Sequence, residues 1–333
     1  MTHSGTGDQP AIEVRDLAKT YRGRPPVEAL RGLSFEVREG EIFGLLGPNG
    51  AGKSTTVKIL TTLSVPTGGS AKVFGIDVAR RPRDVRRRIG CVAQASGVDI
   101  FATGRENIIL QGRMHGMGSA EVTARASELL RLFRLDDAAE RQVKTYSGGM
   151  KRRLDVAIGL VHRPRVLFLD EPTTGLDPES RANLWEEVGR LAREGLTILL
   201  TTHYLEEADQ LAQRLAIVDK GKIVAEGTPD ALKGALRGDL VKVELAARER
   251  SAEGTSILES LDGVVSVQID GDKLLARVDH GARSIPGIVG ALERAGLVVA
   301  EVSASRPSLD DVYLNATGHT FAEGEARSKA KAS

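Results

Sequence analysis

Apolar positions in this chain come in two kinds of run, and the difference predicts the layers of its fold. Residues 33–37 alternate, with Leu33, Phe35 and Val37 on one side and Ser34 and Glu36 on the other. Together with 12–14 they predict an antiparallel β-layer with one buried face. Residues 41–46, 89–93, 166–169, 197–201 and 215–218 are instead almost continuously apolar, as strands covered on both faces are. Helical stretches separate these runs, so the expected core is a mostly parallel sheet. The run at 41–46 leads through a glycine-rich turn into 53–63, whose composition suits a helix. Strands vanish between 104 and 162, which predicts an inserted helical subdomain over about 95–163.

A glycine-containing, helix-ending stretch at 233–239 marks a boundary. Beyond it the pattern restarts as strand 240–246, helix 256–261, strands 264–269 and 274–278 joined through Asp270-Gly271, helix 285–295 and strand 298–302. That βαββαβ order predicts a small α+β domain of ferredoxin-like type. The expected organisation is a first domain at 11–235, a second at 240–318, and polar tails at 1–10 and 319–333, read as disordered and without chemistry.

Composition adds exclusions. A length of 333 residues suits two domains. Lys plus Arg number 46 and Asp plus Glu 45, so a net charge of +1 offers no field to hold a polyanion, and no nucleic-acid partner is expected. The single cysteine, Cys91, lies in an apolar run and reads as a small buried hydrophobe; it forms no internal disulfide, which points to the cytosol. No apolar run approaches the ~18–20 residues of a membrane span and the first ten residues lack an apolar signal core, so the chain is expected neither to cross a membrane nor to be exported. Arg80, Arg81, Arg83, Arg86, Arg87 and Arg88 form a basic cluster, read first as a solvated helix face and second as a surface for anionic lipid or a partner's loops. Glycine, at 37 residues, is in excess, and its positions matter more than its number.

Gly47-Pro48-Asn49-Gly50-Ala51-Gly52-Lys53-Ser54 fits G-x-x-x-x-G-K-[ST] between a predicted strand and a predicted helix. Such glycines let backbone N–H groups wrap a phosphate at a helix N-terminus; Lys53 is placed to bridge the β- and γ-phosphates and Ser54 to ligate Mg²⁺. The apolar run at 166–169 ends in Asp170-Glu171, at the carboxyl edge of the sheet. Asp170 suits Mg²⁺ held through water, and Glu171 suits a general base for an attacking water. Ser147-Gly148-Gly149 precedes a helix carrying Lys151, Arg152 and Arg153, so Ser147 reads as an N-cap with uncovered backbone N–H groups beyond it.

In this order and context, these three elements resemble the ATP-binding-cassette (ABC) ATPases over roughly residues 12–230. The family signature is usually Leu-Ser-Gly-Gly-Gln. Tyr146 and Met150 depart from it in a way that resembles the daunorubicin/doxorubicin-resistance branch of drug exporters, as does the stretch 308–313. The resemblance implies a P-loop NTPase fold of ABC type, with parallel core sheet, antiparallel β-layer and helical subdomain. It implies ATP bound by Tyr21, stacked on adenine, and by Gly47, Pro48, Asn49, Gly50, Ala51, Gly52, Lys53, Ser54 and Thr55; Mg²⁺ on Ser54, Gln94 and Asp170; and catalysis by Glu171, His203 and Gln94. Ser147, Gly148, Gly149 and Met150 are implied to act on the nucleotide of a facing subunit, in a homodimer whose partner also meets the loop at Asp177. The implied activity is ATP hydrolysis powering efflux of a drug or antibiotic through a separately encoded membrane-spanning permease, at the cytoplasmic side of the membrane. The competing readings are a non-transport ATP-driven clamp and a regulatory module that never turns over. Ser147 stands only 94 positions beyond Lys53, which leaves no room for a clamp's coiled-coil arm, and Glu171 and His203 are both present.

Overall fold

The computed structural model describes residues 10–236, 238–246, 250–270, 273–279, 281–324 and 326. Residues 1–9, 325 and 327–333 of the tails expected at 1–10 and 319–333, and Gly271 of the expected hairpin turn, lie outside the described residues. The chain divides into two compact units between Glu226 and Gly227, ahead of the boundary expected at 235–240.

The first unit opens with β1 (Ile12–Tyr21), β2 (Val27–Val37), β3 (Ile42–Leu46), α1 (Lys53–Leu60), β4 (Gly68–Val73), β5 (Ile76–Asp77), α2 (Pro82–Arg86) and β6 (Ile89–Val92). Then come α3 (Gly104–Met114), α4 (Ser119–Leu132) and α5 (Gly148–Gly159), with two short 3-10 turns before α5. It closes with β7 (Val166–Asp170), α6 (Pro178–Arg193), β8 (Thr197–Thr202), α7 (Leu205–Leu211), β9 (Arg214–Asp219) and β10 (Lys222–Gly227). Strands β2-β1-β4-β5 form an antiparallel sheet. Strands β10-β9-β3-β8-β7-β6 form the second sheet, parallel from β9 to β6.

The unbroken apolar runs are explained by two cores, one on each face of the parallel sheet. Along β7, Val166 and Phe168 join the core shared with the antiparallel sheet, while Leu167 and Leu169 join the core shared with the helical region. In β8, Leu199 faces the first core and Ile198 and Leu200 the second. Side chains alternate across a strand, so a strand buried on both faces must be apolar at every position. Cys91, expected to be buried, is instead exposed on the edge strand β6. The six arginines of the 80–88 cluster are all solvent-exposed.

The second unit contains α8 (Pro229–Ala235), β11 (Asp239–Leu245), α9 (Ser251–Glu259), β12 (Val264–Asp270), β13 (Lys273–Val278), α10 (Gly281–Arg294), β14 (Val299–Ser305) and α11 (Leu309–Thr317). Its sheet runs β12-β13-β11-β14, every neighbouring pair antiparallel, the ferredoxin-like order. Helices α9 and α10 begin a turn earlier than the pattern suggests, because their first turns are small or polar and carry no apolar period. Pro286 therefore sits inside α10, where it has no N–H for the carbonyl of Ala282. His319 and Phe321, read as tail, are buried with both rings edge-on to Tyr313.

Candidate active site

Three parallel strands end side by side. β8 lies between β3 and β7, with Leu46 beside Thr202 and Asp170 beside Thr201. The loop after β3, the carboxylates ending β7 and the residues after β8 therefore meet at one edge.

The loop 47–52 is held from both sides. Gly47 N donates to Thr202 O (3.3 Å), and Gly221 N donates to Ala51 O (2.9 Å). Gly52 has φ +112°, and a Cβ there would lie 2.7 Å from the carbonyl oxygen of Ala29. Gly52→Ala is therefore expected to lower stability by about 1–3 kcal/mol through backbone strain, and to weaken ATP binding at least tenfold as the loop shifts. A thermal melt and an equilibrium nucleotide titration check both, and an unchanged titration would count against this account of the loop.

Lys53 is 4% exposed. Its Nζ donates to Gly47 O (2.6 Å) and Pro48 O (3.2 Å) and stands 3.5 Å from Glu171 Oε1. Ser54 Oγ donates to Asp170 Oδ1 (3.1 Å), and Thr201 Oγ1 donates to the same oxygen (2.6 Å). Hydroxyl and carboxylate oxygens in contact are the hard donors that suit Mg²⁺.

Glu171 is the centre of the arrangement. Its backbone lies in the left-handed region (φ 48°), rare for a residue with a side chain. There its N–H reaches both the carbonyl and the hydroxyl of Thr201, each at 3.1 Å. Gln94 Nε2 donates to Glu171 Oε2 (3.1 Å), Thr174 Oγ1 donates to it at 3.4 Å, and His203 Nδ1 lies 3.3 Å away. Burial pushes this carboxyl up, but His203 and Lys53 together outweigh burial and leave it below the ordinary 4.5. A lowered folded-state pKa means the carboxylate's stabilising contribution is complete above 4.5 and is lost as pH falls through the folded value. The profile of kcat/KM, which reports the free enzyme, should show no acid limb from Glu171 above 4.5; a limb there that vanishes in Glu171→Gln would contradict this.

A cleft of about 280 Å³ opens beside these groups, lined by Val27, Glu28, Ala29, Asn49, Gly50, Gly52, Lys53, Ser54, Thr55, Gln94 and Glu171. Tyr21 is not in that lining; it is 37% exposed with Lys19 Nζ 5.0 Å from its ring, and its ladder partner Val27 is the one that reaches the cleft. Ser147 caps α5, its hydroxyl accepting from Met150 N (3.2 Å). Gly149 permits close approach to α6, since a Cβ would lie 2.5 Å from Ser180 Oγ. Among the described residues no backbone–backbone hydrogen bond joins 147–150 to the loop 47–55. Asp177 caps α6, accepting from Ser180 N (2.9 Å) and Ser180 Oγ (2.7 Å).

Two residues escape the sequence reading. Thr201 orients both acids, and the only hint was a threonine directly after the apolar stretch 198–200. Arg152 is 7% exposed and donates to the carbonyls of Pro172 (2.7 Å), Ala93 (2.7 Å), Asp170 (3.1 Å) and Glu171 (3.2 Å). Its signal was a position on the same helical face as Gly149, Val156 and Gly159, masked by the neighbouring Lys151 and Arg153.

Residues 30–174 match the family model described as ABC transporter, a span that takes in the loop, Gln94, Ser147 and both acids, and residues 227–317 match the C-terminal domain of DrrA1-3-like ATP-binding proteins. The chain is 44% identical over 321 residues to the daunorubicin resistance ATP-binding protein DrrA2 of Streptomyces coeruleorubidus, covering 96% of this chain and 99% of that protein. It belongs to the ABC transporter ATP-binding proteins. Another member, the Nod factor export ATP-binding protein I of Rhizobium etli, is 39% identical over 92% of this chain and 93% of its own. Among solved structures, the dimeric ABC cassette MJ0796, in a post-hydrolysis state with ADP and Pi, superposes with a TM-score of 0.60 at 27% identity, covering 65% of this chain and 98% of that one. As an ABC ATPase, this protein binds and hydrolyses ATP and is the ATPase subunit of an exporter. Among the described residues no helix is long and apolar enough to cross a membrane.

Proposed function

We propose that this ABC ATPase works as one of two identical subunits that close on ATP and drive a separately encoded membrane-spanning permease exporting a drug or antibiotic. The observation that carries the reading is the Glu171 carboxylate, turned by its left-handed backbone toward Lys53, Gln94 and His203 at the mouth of the phosphate loop. In this reading the N–H groups of 47–55 and the Lys53 ammonium hold the phosphates, Tyr21 stacks on adenine, and Glu171 takes the proton of the attacking water. Gln94 and His203 orient Glu171 and the γ-phosphate. Ser54 and Asp170 hold Mg²⁺, with the Gln94 amide oxygen as a further donor; when bound, the ion offsets the negative charge of the phosphates.

Ser147, Gly148, Gly149 and Met150 act on the nucleotide of the facing subunit, and Asp177 meets that subunit. Making the site from two chains ties transition-state stabilisation to closure. Membrane association at the cytoplasmic face follows from the permease. Relatives named for daunorubicin resistance and for Nod factor export share the same cassette, which supports a cargo set by the permease and, at 44% identity to the former, a drug. The test is co-expression with the permease in inverted membrane vesicles. ATP-dependent daunorubicin uptake, absent with Glu171→Gln, is expected; ATP hydrolysis without uptake would overturn the cargo.

A further inference from the structure

We propose that Arg152 is a positioning residue that ties the signature helix α5 to the catalytic carboxylate of its own subunit, so that hydrolysis at one site responds to nucleotide at the other. This rests on the reading that residues 147–150 act on the facing subunit's nucleotide.

The Arg152 guanidinium is buried, yet it takes no short ion pair: the carboxylate of Asp155, one turn along, is 4.0 Å away. All four of its hydrogen bonds go to main-chain carbonyls, and those carbonyls belong to the segments that carry the chemistry. Ala93 immediately precedes Gln94. Asp170 and Glu171 are the two acids. Pro172 opens the loop that runs through Thr174 to Asp177. A residue serving only to fill space here would be apolar, since a buried cation is costly unless fully satisfied.

The strained backbone of Glu171 has to be held on both sides. Thr201 holds the N–H, and Arg152 holds the carbonyl oxygen together with those of the residues before and after. The planar fork of arginine fits several carbonyls at fixed angles, which the single ammonium of lysine does not.

Helix α5 also grips the Gln94 segment twice. Asp155 Oδ1 accepts from Ser96 Oγ (3.0 Å) and Gly97 N (3.3 Å), while Arg152 holds Ala93 on the other side of Gln94. The same helix begins at the Ser147 cap. An α-helix is stiff over two turns, so a shift of its N-terminus upon meeting a nucleotide moves Arg152 and Asp155 with it. The carbonyls of Ala93, Asp170, Glu171 and Pro172 then move as a set. Binding at one site is passed to the base of the other through one rigid element.

Steady-state ATP hydrolysis by the purified full-length protein, titrated with ATP, tests this for Arg152→Gln and Arg152→Lys. For Arg152→Gln, kcat should fall about 10–100-fold with KM for ATP within about threefold, because the nucleotide's own contacts are untouched. The Hill coefficient, above 1 in the unmodified protein and at most 2 for two sites, should fall to about 1. Arg152→Lys should recover part of kcat and none of the Hill coefficient. Should Arg152→Gln fail to fold, Arg152→Lys alone decides.

An unmodified protein with a Hill coefficient of 1, variants that keep its Hill coefficient, or a kcat loss matched by a rise in KM would each overturn the coupling. Ser147→Arg separates the two levels. If it turns over normally, the underlying reading of the signature falls; if it is inactive while Arg152→Gln behaves as the unmodified protein, only the role of Arg152 falls.

Discussion

Glu171→Gln is expected to keep ATP binding and to lose turnover by about 10²–10⁴-fold, the contribution of a positioned general base. The amide matches the carboxylate in size and still accepts from Gln94 and Thr174, so the left-handed turn and its bracing by Thr201 and Arg152 remain. What disappears is the capacity to take a proton. Hydrolysis reopens the closed dimer in the proposed cycle, so this variant should accumulate as an ATP-bound dimer. Phosphate release and gel filtration in the presence of ATP check the two parts, and undiminished turnover would remove Glu171 from the role of base.

Lys53→Met should fail earlier, at binding. Methionine keeps the length of the stem and discards the ammonium, which here pins the loop through Gly47 O and Pro48 O and stands beside Glu171. Losing one preorganised charged donor from a site of this kind costs about 10²–10³ in rate. A fall in kcat/KM of at least that size is expected, together with weaker ATP binding, which Glu171→Gln does not show. Lys53 is one of the groups that pull the Glu171 carboxyl down against burial, so its removal shifts that pKa upward. The residual activity should then show its acid limb at higher pH than the unmodified protein, and a limb that stays in place would show that Lys53 does not act on the base.

The sequence made most of this site legible because its parts are contiguous. The loop 47–54 and the pair Asp170-Glu171 each come directly after an apolar strand, and parallel strands carry their C-terminal loops to one edge of the sheet. The double burial of β7 and β8 was legible for a similar reason, since no polar residue interrupts 166–169. What remained hidden depends on pairing distant in sequence. Thr201 meets Asp170 across 31 positions, and Arg152 meets Ala93 across 59. Lys151, Arg152 and Arg153 read as one basic run on a helix surface; only the packing of α5 against β6 and the end of β7 turns the middle one inward. Tyr21 illustrates the opposite limit: its contact with the base comes from the resemblance alone, and what the structure adds is that its ladder partner Val27 lines the cleft. The early starts of α9 and α10 were missed because residues such as Ala252, Gly254, Gly281 and Ala282 carry no amphipathic signal.

The left-handed backbone at Glu171 has an evolutionary consequence. Glycine would relieve a strain of roughly 1–3 kcal/mol there, and asparagine much of it. Lys53 would still keep its two carbonyl partners. Foldedness and turnover thus favour different residues at one position. A population selected for robustness alone would drift away from glutamate at 171, and its persistence there in any descendant lineage is a record of continued demand for hydrolysis.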